Sequence, residues 1–138
     1  MTPLKNNVVQ MSGRTASAQM LKDYVIAWLR QNFPEPGSKV VTELRFAPNH
    51  KWQFDVAITP AKVGIEFMGA VFVGGHHTRG LGYVDDCRKV LCAGAYGWMV
   101  IPIPIALLRD DLKQTLHDLE ATIICRNDYV FAAREGRK

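Results

Sequence analysis

The chain predicts an α/β protein, a mixed α/β sandwich in which helices cover a small sheet, in the order α-β-β-β-α-β-α. Three observations predict it. Apolar residues recur with a period of two in three short runs between positions 39 and 68. Apolar stripes at helical spacing lie before, between and after the strand runs. The chain has 138 residues, of which 48% are apolar, enough to enclose one core.

The elements follow in order. Residues 1–14 read as a flexible N-terminal arm. Thr15 or Ser17 can cap a helix running to about Phe33, with Leu21, Tyr24, Val25, Trp28 and Leu29 on its apolar face. Pro34 to Gly37 stops it. A strand from about Lys39 to Phe46 is followed by a turn at Pro48-Asn49. The next strand, Trp52 to Ile58, puts Trp52, Phe54, Val56 and Ile58 on one face, and Gln53, Asp55 and Ala57 on the other. A tight connection at Thr59-Pro60-Ala61 leads to a strand over Lys62 to Met68, so the two strands pair as a hairpin. In this third strand Gly64, Glu66 and Met68 share a face.

Gly69 to Gly82, rich in glycine and basic residues, reads as a loop. A helix over Leu81 to Ala95 carries Val84, Cys87, Val90 and Leu91 on its apolar side. A strand from Trp98 to Ile103 is interrupted at Pro104, and a helix spans Leu107 to Ile124 with a stripe of Leu108, Leu112, Leu116, Leu119 and Ile123. One domain thus occupies residues 15–125, and residues 126–138 form a basic C-terminal tail.

Net charge is +4 and the pI about 9.1, a mild excess that suits a polyanionic partner without requiring one. No apolar run reaches the length of a bilayer span, and the N-terminus lacks the apolar core of a secretory signal. A cytoplasmic location and no membrane partner are expected. Cys87, Cys92 and Cys125 are odd in number and lack metal-ligand spacing, so they read as small apolar residues of a reducing compartment. There is no G-x-G-x-x-G and no phosphate-binding P-loop pattern.

Asp55 and Glu66 are the first candidates for chemistry. Both sit mid-strand among apolar neighbours, where a carboxylate is costly without a partner. On paired strands they can lie on one face at similar height and bind a hard divalent cation such as Mg²⁺. The plain alternative is an ion pair with a nearby Lys or Arg, or a solvent edge. Glu43, beside Arg45 on the first strand, could supply a third carboxylate; alone it reads as an ordinary edge-strand charge. The loop after the Glu66 strand holds His76, His77 and Arg79, which can contact a phosphate, and its alternative is a solvated loop. Lys89 lies on the second helix, where Asp85 four residues earlier offers a plain surface pair. Lys51 is a further cation, just before the Asp55 strand.

The run Glu43-Leu44-Arg45-Phe46, Trp52-Gln53-Phe54-Asp55, Ile65-Glu66-Phe67-Met68-Gly69-Ala70, His77-Thr78-Arg79-Gly80, Gly82 to Lys89 and Gly97-Trp98 resembles small phage and prophage endonucleases of the PD-(D/E)XK superfamily. It covers about Glu43 to Ile103. The loop and second helix are also similar to very-short-patch mismatch-repair endonucleases, and Holliday junction resolvases share the superfamily core. The resemblance implies a restriction-endonuclease-like mixed sheet flanked by helices and Mg²⁺-dependent hydrolysis of DNA phosphodiesters, with Mn²⁺ as a substitute. It implies Asp55, Glu66 and Glu43 as metal ligands, and Lys89 or His77 beside them in catalysis. His76, Arg79, Lys51 and Arg88 would contact DNA. The implied substrate is DNA, branched DNA included, in phage recombination or repair in the host cytoplasm, and a homodimer would suit a junction.

One departure is plain. The superfamily places Lys two residues after the Glu, and here that position is Met68. Either Lys89 or His77 replaces that cation, or the site is impaired and the chain binds nucleic acid or protein without catalysis. The first helix also lacks the acid that several members carry, with Gln19 and Asp23 the nearest polar residues.

Overall fold

A computed structural model describes residues 16–69, 72–73, 76–77 and 81–136. Helix α1 (Ala18–Asn32) starts where the Ser17 hydroxyl accepts from the Met20 N–H, and it buries the five residues of the expected face. Strands β1 (Lys39–Arg45), β2 (Gln53–Thr59) and β3 (Val63–Met68) follow. Then come the short strands β4 (Phe72–Val73) and β5 (His76–His77), helix α2 (Leu81–Ala95) and strand β6 (Met99–Pro104). Helices α3 (Ile105–Asp110) and α4 (Leu112–Gly136) complete the chain.

The main sheet has the order β1-β2-β3-β6, antiparallel between the first three strands and parallel between β3 and β6. It is therefore a mixed sheet with helices on both faces. β6 is an edge strand in this order, which accommodates Pro102 and Pro104, since a proline has no N–H for a central ladder. On one face, Val56, Ile58, Val63, Ile65 and Ile103 pack with residues of α1, α3 and α4 in the larger core. On the other, Phe46, Ala47, Phe54, Ala57 and the α2 residue Ala93 form a smaller cluster with Trp98 beside it. Phe54 stacks on Phe46 at 4.3 Å between ring centroids, and its ring occupies the space a Gly64 side chain would need.

Several expectations change. The strict alternation of β2 breaks at Asp55: Trp52 and Phe54 join the smaller cluster while Val56 and Ile58 join the larger. Glu43, across from Asp55 in the β1–β2 register, has φ 54° and the register has no pair at that point. The stretch read as a loop contains a hairpin, with Phe72 opposite His77 and Val73 opposite His76.

Helix α2 keeps its expected bounds but turns its expected apolar side outward. Val84, Cys87, Val90 and Leu91 are exposed, Leu91 at 78%, while Ala93 is buried. Small Ala93 permits close approach to the crowded Phe54–Trp98 layer, and hydrophobicity alone does not register that fit. The last helix begins earlier than expected, breaks at Asp111, and continues through most of the segment read as a tail. Among the described residues no helix is long and apolar enough to cross a membrane.

Candidate functional site

The β2–β3 ladder consists of Ile58–Val63, Ala57–Gly64 and Val56–Ile65, and there it stops. One step beyond, Asp55 and Glu66 stand opposite each other. From that point β2 pairs only with β1, whereas β3 stays bonded to β6 through Met68. The two carboxylates thus occupy the fork where the central strands part. Backbone groups released by a fork need partners, and side chains supply them. The Asp55 Oδ2 accepts the Phe67 N–H at 2.8 Å. The Lys89 Nζ donates to the Gln53 carbonyl at 2.7 Å.

Lys89 also makes an ion pair with the Glu66 Oε1. Their side chains are 19% and 22% exposed, so the pair is largely withdrawn from water. Burial holds the Glu66 carboxyl above the usual glutamate range. The Lys89 hydrogen bond and charge pull it back down, and the Asp55 and Asp86 carboxylates push it up. Asp86 precedes Lys89 by three residues on α2, and its exposed carboxylate is near enough to act on Glu66.

The structure therefore brings together Asp55, Glu66 and Lys89. Lys89 pairs with Glu66, not with Asp85. Glu43 is exposed on the edge strand, and its left-handed backbone removes it from the ladder across from Asp55. Among the described residues no three His, Cys, Asp or Glu side chains form a group that could hold a metal ion, so the acidic trio does not assemble as a three-ligand cage. Arg88 and Lys51 are exposed near the site in sequence, Arg88 beside Lys89 and Lys51 two residues before Gln53. His76 and His77 are described only as strand backbone; their side chains, and Arg79, lie outside the described residues. Asp86 is the neighbour that sequence reasoning missed. Its i,i+3 spacing from Lys89 was the available signal.

The donor set can be tested against Mg²⁺. One oxygen of Asp55 is taken by Phe67 and one of Glu66 by Lys89, which leaves one carboxylate oxygen on each. Two hard oxygen donors fit a cation that keeps several waters and commonly takes only one or two carboxylates. They would not fit a metal that requires a full protein cage. No protein-family model, no curated protein and no solved structure matches the chain.

Proposed function

We propose that this chain is a Mg²⁺-dependent DNA endonuclease that hydrolyses phosphodiester bonds. The observation that carries the reading is the contact of the α2 cation Lys89 with Glu66, beside Asp55, at the fork of the sheet. Met68 leaves the usual position of the superfamily lysine without a charge, and Lys89 supplies an ammonium to the same carboxylate from the neighbouring helix. Asp55 and Glu66 would hold the metal through their remaining oxygens, with Mn²⁺ as a substitute. A bound Mg²⁺ supplies acidity to water and charge for the phosphate. Asp55 is held by the Phe67 N–H, so its remaining oxygen is aimed rather than free to rotate. Lys89 keeps one N–H donor beyond the two it spends on Glu66 and Gln53, and it can meet a phosphate oxygen. Glu43 would act at a distance, through water. Arg88 and Lys51, with His76, His77 and Arg79, would supply sequence-tolerant backbone contacts.

The test is cleavage by the purified chain of linear duplex and of a four-way junction in Mg²⁺. Asp55→Asn and Glu66→Gln lose cleavage and retain DNA binding. Undiminished cleavage by Asp55→Asn overturns the reading. Preference for the junction, together with a dimer in solution, supports a resolvase-like role in recombination or repair; equal cleavage of both substrates removes it.

A second reading has its own support. Met68 and the lack of a third metal-capable side chain among the described residues favour a nuclease-fold protein that binds nucleic acid or protein without catalysis. Calorimetry with Mg²⁺ and Mn²⁺ separates the two. No binding heat and no cleavage, with cleavage appearing in Met68→Lys, would select the second reading.

A further inference from the structure

A second site lies at the other end of the sheet. The start of β1, the last turns of α4, the β2–β3 connection and the α2–β6 connection enclose a cleft of about 1140 Å³. Four cationic side chains line it, Lys39, Lys62, Arg126 and Arg134, and no acidic side chain does. Two of the cations are held in place by backbone carbonyls. Arg126 donates to Ala61 at 3.1 Å and to Gly97 at 3.2 Å, and Lys62 donates to the Tyr96 carbonyl. Each retains further N–H donors. Among the described residues, none of the four is ion-paired with a carboxylate.

Two aromatic rings complete the lining, Tyr96 at 43% and Tyr129 at 66% exposure. The Arg126 guanidinium lies 5.4 Å from the Tyr129 ring centroid, which fixes the ring beside a positive charge. A cleft with an unneutralised positive lining selects an anion. Exposed aromatic rings beside the cations select an anion that carries flat rings. Phosphates and bases alternate in this way along an unpaired nucleic-acid strand, and backbone cations with stacking platforms are what such strands require. Duplex DNA hides its bases from the tyrosines and would use only the charges.

We infer that this cleft binds single-stranded nucleic acid, with phosphates on Lys39, Lys62, Arg126 and Arg134 and bases on Tyr96 and Tyr129. The inference goes beyond the endonuclease reading and does not need it. If both hold, the cleft takes an unpaired arm of the substrate while the duplex lies at the fork.

The test is fluorescence anisotropy of the full chain with a labelled oligothymidylate of about 15 nucleotides, in EDTA so that cleavage does not enter. Lys39, Tyr129 and Arg134 are exposed and can be changed without disturbing the carbonyl contacts of Lys62 and Arg126. Lys39→Ala/Arg134→Ala weakens binding and lowers the slope of log K against log salt by about 1.4, or about 0.7 for each single-strand phosphate that is no longer neutralised. Tyr129→Ala weakens oligothymidylate binding about tenfold and leaves inorganic polyphosphate binding unchanged, because only the former can stack. Equal loss for both probes would overturn the stacking role. Unchanged oligothymidylate affinity in all variants would overturn the site. A chain that binds the oligonucleotide through this cleft but cleaves nothing in Mg²⁺ would refute the nuclease reading alone. Equal weakening of an oligouridylate is expected, and tight binding of free thymidine monophosphate with no gain from chain length would replace the strand with a nucleotide as the ligand.

Discussion

Replacing Lys89 with Met removes the ammonium and keeps most of the stem that covers the sheet. Two interactions disappear, one with the Glu66 carboxylate and one with the Gln53 carbonyl. A hydrogen bond to a charged group contributes about 1.5–3 kcal/mol, and breaking a fully buried ion pair costs about 3–5 kcal/mol. Both side chains retain about a fifth of their exposure, so water relieves part of the loss. The expected destabilisation is about 2–3 kcal/mol near pH 8, measured by urea denaturation in EDTA. The sign of its pH dependence follows from Glu66. Burial raises the folded-state pKa of Glu66 above the unfolded value, so the folded chain binds that proton more tightly. The unfavourable contribution is full above the folded pKa and fades as pH falls through it toward the unfolded value. Loss of Lys89 removes the influences that lower that pKa, so it rises further and the variant gains more from protonation than the parent does. The deficit should therefore shrink as pH falls from about 8 to about 5. A deficit equal at both pH values would refute the placement of Lys89 on Glu66.

Three further outcomes test the packing around the site. Gly64→Ala puts a Cβ at 2.7 Å from the ring of fully buried Phe54, and should cost about 1–3 kcal/mol in urea denaturation; a neutral result would mean Phe54 is not under Gly64. Leu91→Ala should change stability by less than about 0.5 kcal/mol, whereas a leucine of the core would cost about 2–5 kcal/mol, so the same measurement decides which side of α2 faces the sheet. Glu43→Gly relieves a left-handed non-glycine residue and should stabilise the chain by about 0.5–1 kcal/mol, with a smaller loss of cleavage than Asp55→Asn; destabilisation would argue that the Glu43 side chain holds the fold.

Much of the fold was legible because most elements obey one period. The α1 stripe Leu21, Tyr24, Val25, Trp28 and Leu29 is buried as spacing alone predicts. The hairpin of β2 and β3 follows from alternation and a tight Thr59-Pro60-Ala61 connection. Helix α2 misled because its more hydrophobic stripe is not the one the sheet receives; the fit of Ala93 against Phe54 and Trp98, and the pull of Glu66 on Lys89, decide its rotation. Both are tertiary effects and leave no period. The alternation of β2 failed at Asp55 for a related reason, since the strand changes faces at the fork, opposite the left-handed Glu43. Within the site, opposed positions of Asp55 and Glu66 were readable from strand pattern. Asp86 was not singled out, because a solvated helix charge has the same local signature.

The fork also makes one backbone proton a reporter. In an unbroken sheet the Phe67 amide would exchange with solvent only when strands separate cooperatively. Here its hydrogen bond ends on the Asp55 carboxylate, at the free end of the ladder. Its deuterium uptake is then governed by whether a single side chain lets go, on the timescale of local opening rather than of unfolding. Anything that draws Asp55 toward a new ligand would register at this amide before any strand moves.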